Sequence, residues 1–139
     1  MPRPVSENVP QSIHEEIAVL GLSGLGQYAE VKQLKESQLR SLFTNNHSLV
    51  RPYFTLADYL GVSADNLVEL IEGKSIGRIL ESKREGQSWR LLGEKIGVSD
   101  AFLIRMSKNT GELKALKPYL LAASGIGWTL DRMRRELSI

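Results

Sequence analysis

An all-α protein assembled from short helices is what this sequence predicts, on three observations. Apolar residues recur at three- to four-residue intervals through most of the chain, strand-like alternation is confined to residues 49–54, and Gly, Pro and Ser/Thr punctuate the pattern often. We expect about six to nine helices in a bundle. Pro2, Pro4 and Pro10 make residues 1–11 a loose arm. Ser12 and Glu15 have the S-x-x-E spacing of a capping box, and Ile13, Ile17 and Leu20 then follow a helical period that Gly21 stops. The glycine-rich stretch 21–26 has no strand before it and no Lys-Ser or Lys-Thr after it, so it reads as a linker between helices rather than a phosphate-binding loop. Residues 25–43 keep a helical period with one break near Glu36-Ser37, which predicts two helices, and 44–47 form a polar turn. Pro52 discourages helix just before it, and Thr55 with Asp58 offers a second capping spacing to open the next helix.

The 139 residues include no cysteine, which excludes a disulfide scaffold, thiolate zinc sites and thiol catalysis. A chain of this size can bury roughly two-thirds of its unfolded surface, so a hydrophobic core needs no such staple. No apolar run reaches the roughly 18 residues of a membrane span, and the first ten residues lack the apolar core of a signal peptide. The expectation is a soluble cytoplasmic protein with no membrane partner. The formal charge of +2 conceals a division: residues 1–73 carry five basic and nine acidic side chains, residues 74–139 thirteen and seven. A basic second half points to a polyanionic partner, or to mutual attraction of the halves.

The most specific signal is a repeat offset by 36 residues, in which Leu56-Ala-Asp-Tyr-Leu-Gly-Val-Ser63 matches Leu92-Gly-Glu-Lys-Ile-Gly-Val-Ser99. Each copy has the physical content of a helix–turn–helix. Leu56, Ala57 and Leu60 bury one face of a first helix, Gly61 supplies the positive φ that ends it, and Ser63 caps the next helix, whose Leu67 and Leu70 return to the core. Gly93 takes the small-residue position where the two helices of the second copy approach closely.

The second copy resembles the helix-turn-helix domain of Cro and lambda-repressor-like (XRE-family) regulators. Arg84-Glu-Gly-Gln-Ser-Trp-Arg-Leu-Leu-Gly-Glu-Lys-Ile-Gly-Val-Ser-Asp-Ala-Phe-Leu-Ile-Arg-Met106 carries the likeness, with residues 75–84 as a first helix and 117–137 as the last two. The resemblance covers residues 75–139 and implies a C-terminal five-helix domain, hence a division into an arm 1–11, an acidic helical region 12–73 and a basic domain 74–139. The first copy reads as a structural or protein-binding turn in the N-terminal half, because Asp65, Glu69 and Glu72 on its second helix would repel phosphate.

The resemblance implies double-stranded DNA as partner and places the helix after Ser99 in the major groove. Asp100, Ala101, Phe102 and Arg105 then lie nearest the bases. A guanidinium at Arg105 can pair with guanine O6 and N7, a contact worth about 1–3 kcal/mol of discrimination; the plainer reading is a solvated surface arginine. Asp100 can accept from cytosine or simply favour the positive end of its helix, and Phe102 can meet a thymine methyl or a protein partner. Trp89 stands where the family commonly has Gln. Ser88, Arg90, Lys95, Lys108, Asn109 and Lys114 are the expected phosphate contacts.

The apolar stripe Leu130, Met133 and Leu137 reads as core or as a homodimer surface. His14 and His47 belong to no metal-ligand spacing and Glu15-Glu16 face different sides of a helix, so we expect no enzyme, no metal and no cofactor. The sequence thus predicts a DNA-binding transcriptional regulator whose acidic N-terminal half contributes self-association, an effector contact or a protein partner's docking site. The competing reading is an interaction adaptor on a helix-turn-helix scaffold that has lost DNA binding.

Overall fold

The computed structural model describes residues 9–108 and 113–139, and every described element is helical. In chain order these are α1 (Gln11–Val19), α2 (Leu25–Val31), α3 (Glu36–Thr44), α4 (Arg51–Leu60), α5 (Ala64–Glu72), α6 (Ile76–Arg84), α7 (Trp89–Ile96), α8 (Asp100–Ser107), α9 (Lys117–Ile126) and α10 (Leu130–Glu136). The all-α expectation holds, with ten helices among the described residues rather than six to nine. α4 begins earlier than expected, at Arg51 with Pro52 in its first turn, where a missing N–H costs nothing. Residues 49–54 are therefore turn and helix, not strand, and Thr55 lies inside α4 instead of capping it.

The helices fall into two units. One comprises the described residues up to Asn46 together with Lys117–Ile139; the other is His47–Leu116. This division differs from the expected boundary at 73/74. α9 and α10 join α1, α2 and α3, whereas α6, α7 and α8 pack with α4 and α5. The physical reason lies in α9, which packs on α3 and α10 and comes so close to the loop before α3 that a methyl on Gly125 would sit 2.8 Å from the Leu34 side chain. The implied five-helix domain 75–139 is not a unit of its own.

In the terminal unit, α1 starts at Gln11 after an N-cap Pro10 that makes no side-chain bond, and Val9 and Pro10 are buried. The arm thus ends earlier than expected, and its residues 1–8 lie outside the described ones. Ser12 is no cap: its hydroxyl donates to Glu136 Oε2 of α10 at 2.7 Å. One turn on, Glu16 accepts from the Tyr28 hydroxyl at 2.9 Å and pairs with Lys32 Nζ at 2.8 Å, tying α1 to α2. The Lys32 hydrogen bond, against the opposing effect of burial, holds the Glu16 carboxyl below its usual range, and burial raises the Tyr28 hydroxyl. Leu130 and Met133 are buried by their own chain, so these two are core and not a dimer surface.

In the second unit, α4 packs on α5 and α7, α5 on α6, and both α6 and α7 on α8. Phe54, Leu56, Leu67, Leu80, Leu92 and Leu103 fill its core. Both turns of the repeat lie in this unit, in α4–α5 and α7–α8.

Candidate functional site

The second turn is built by local chemistry. Ser88 caps α7 by accepting from Leu91 N at 3.1 Å. α7 ends at Gly97 in the left-handed region, with φ 98°, so that the Gly97 and Val98 amides both donate to Gly93 O, at 2.7 and 3.0 Å. Ser99 then accepts from Phe102 N at 3.2 Å and opens α8. At Gly93 a Cβ would lie 2.6 Å from Val98 O, so the turn folds back onto α7 closely enough to require glycine. What Gly93 meets is the backbone of the turn and the first amide of α8, Asp100 N at 3.5 Å, so the small residue sits where the two helices approach closely, as expected.

α8 divides into two faces. Phe102, Leu103 and Met106 are buried, while Ala101, Arg105 and Lys108 are exposed at i, i+4 and i+7, one outward stripe. Phe102 corrects the expectation that it faces a groove: it is 4% exposed, with its ring edge-on to Tyr53 of α4 at 5.1 Å and 90°. Phe102 therefore offers no exposed surface to a protein partner either, the contact that the competing adaptor reading gave it. Asp100 is exposed and accepts from Ala101 N at 2.8 Å, a carboxylate satisfied at the positive end of its helix.

The flanking residues are placed as follows. Trp89 is half-buried, and the Arg84 guanidinium lies over its ring at 4.5 Å. Arg90 is exposed with Glu94 3.5 Å away, and Lys95, also exposed, lies 6.0 Å over the Tyr59 ring. Lys114 is exposed, and Asn109 lies outside the described residues. Ser88 and Ser99 serve as caps. A shallow hollow of about 570 Å³ opens beside the turn, between Pro52, Arg90 and Glu94 on one side and Val98 to Asp100 on the other.

The first turn repeats this backbone with Gly61 at φ 70°, Val62 N donating to Ala57 O at 3.0 Å and Ser63 accepting from Asn66 N at 3.0 Å. With the offset of the repeat, Glu69 and Glu72 on α5 occupy the positions of Arg105 and Lys108 on α8, and all four are exposed. This reversal of charge was legible in the sequence, where Asp65, Glu69 and Glu72 already set the first copy apart. Redrawn on the observed unit, His47–Leu116 carries ten basic and nine acidic residues, and the asymmetry survives only inside it: one basic and four acidic up to Gly73, nine and five beyond.

Among the described residues, no group of three or more His, Cys, Asp or Glu side chains is gathered as a metal set, and no helix is long and apolar enough to cross a membrane. His47 is buried, and burial together with Arg51 pushes its imidazole below the usual range. No family model, curated protein or solved structure matches the chain.

Proposed function

We propose that this chain binds double-stranded DNA through α8 and acts as a transcriptional regulator. The observation that carries the reading is the exposed stripe Ala101, Arg105, Lys108 on the second helix of a fully capped helix–turn–helix. In such a motif the outward residues near the start of the second helix reach base edges. Ala101 allows close approach to a thymine methyl and Arg105 can donate twice to guanine. Lys108, Arg90, Lys95 and Lys114 are left to phosphate, where they position the helix without reading sequence. Asp100 accepts from Ala101 N at the positive end of its own helix, and the reading assigns it no base partner.

Fluorescence anisotropy of labelled duplex DNA across a salt series tests this. With these four cations on phosphate, log K should fall with log salt at a slope of about −3.5. Lys108→Ala should reduce that slope by about 1, and Arg105→Ala should cost about 1–3 kcal/mol on a selected site and relax preference at one base pair. Absence of binding at about 50 mM salt, or binding indifferent to both substitutions, defeats the proposal.

A further inference from the structure

We infer that the outward face of α5 is a docking surface for the α8 face of a second copy of this chain. Both helices belong to the unit His47–Leu116. They share a turn design and a pitch, so the carboxylates of Glu69 and Glu72 have the same spacing as the cations of Arg105 and Lys108. Two faces of equal pitch and opposite charge can be laid together with carboxylates facing cations, and Ala101 leaves the start of α8 free of bulk.

A second observation concerns the helices' own electrostatics. α5 has no basic residue in its last turn and ends on Glu72, where the negative end of the helix dipole disfavours a carboxylate. α8 has Asp100 in its first turn and Arg105 in its last, each at the end its dipole favours. Stability within the chain accounts for the charges on α8 and for Asp65 in the first turn of α5, but opposes Glu69 and Glu72 in its last turn; a cationic partner accounts for these two. In a two-fold pair the contact is made twice, once by each α5. Exposed ion pairs are weak and screened by salt, so the association belongs to low ionic strength. The pairing stands without the DNA reading; only its consequence, that duplex DNA competes for the same α8 face, rests on that proposal.

Sedimentation of the full chain decides it. At about 20 mM salt the expected result is a concentration-dependent dimer that weakens about tenfold or more by about 0.3 M. The double variant Glu69→Lys/Glu72→Lys should be monomeric while its melting temperature rises by about 2–5 °C, which separates loss of docking from loss of fold. Arg105→Glu/Lys108→Glu should also be monomeric, and the quadruple variant, which keeps the wild-type net charge, should dimerise again. A wild type that stays monomeric at low salt, a dimer that persists in Glu69→Lys/Glu72→Lys, or a quadruple variant that stays monomeric overturns the inference. Failure of the DNA reading shows instead as unchanged anisotropy and leaves these sedimentation results intact.

Discussion

The two turns of His47–Leu116 share a backbone and differ in almost everything attached to it. Gly61 and Gly97 end their first helices at positive φ, and Ser63 and Ser99 cap their second ones at 3.0 and 3.2 Å. Yet the position of Phe102, buried against Tyr53, is held on α5 by exposed Asn66; that of Gly93, pressed on its own turn, by Ala57; and those of Arg105 and Lys108 by two glutamates. Turn geometry is set by a few local bonds and one positive φ, so it persists while packing depth and outward chemistry vary freely. The presence of the motif therefore says little about DNA, and the outward residues carry the functional argument.

The largest contrast should come from Phe102→Ala against Asn66→Ala. Truncating the buried ring should cost about 3–5 kcal/mol in urea unfolding, whereas the exposed counterpart should move stability by no more than about 0.5 kcal/mol. Similar losses at the two sites would mean that the turns are packed alike. Next in size is Gly93→Ala, which should lose about 1–3 kcal/mol because the new methyl meets a backbone oxygen that cannot swing away; Ala57→Gly should lose only about 0.5–1 kcal/mol. A neutral Gly93→Ala would show that the turn can open.

The caps should behave as equals. Ser63→Ala and Ser99→Ala are each expected to cost about 1 kcal/mol by thermal melting, and a loss confined to one of them would break the claim of a shared backbone design. The smallest effects are those of pH. His47 is depressed in the fold, so below its ordinary value of 6.5 the unfolded chain takes up a proton that the folded chain resists, and stability declines as pH falls through that value. Glu16 is depressed too, so its contribution is present above 4.5 and lost as pH falls below. Trp89 lies in His47–Leu116 and Trp128 in the terminal unit. Tryptophan fluorescence should report a decline in stability near pH 6.5 that His47→Gln abolishes and a more acidic one that Glu16→Gln reduces. A decline near 6.5 that survives His47→Gln would assign it to another group.

Much of the second turn was legible because its determinants are neighbours in sequence: a glycine, a hydroxyl three residues before an amide, and an apolar period. The same logic misplaced Ser12, whose spacing to Glu15 fits a cap but whose hydroxyl has Glu136 within reach. It misplaced Thr55 because a helix already begun at Arg51 leaves no free amide there to cap. Phe102 was misread since nothing near it in sequence announces Tyr53. Of the residues that the resemblance placed nearest the bases, Asp100, Ala101 and Arg105 are exposed and Phe102 is core, while Trp89 lies under Arg84.

The sequence by itself determined the helical class, the two left-handed glycines, the serine caps and which charges lie on α5 and α8, because each depends on bonds or periods spanning a few residues. Only the tertiary structure decided that α9 and α10 pack with α1–α3, that both turns share one unit, and that Phe102 is buried. Those outcomes depend on which apolar surfaces meet, and the burial of apolar area is non-directional and blind to separation along the chain.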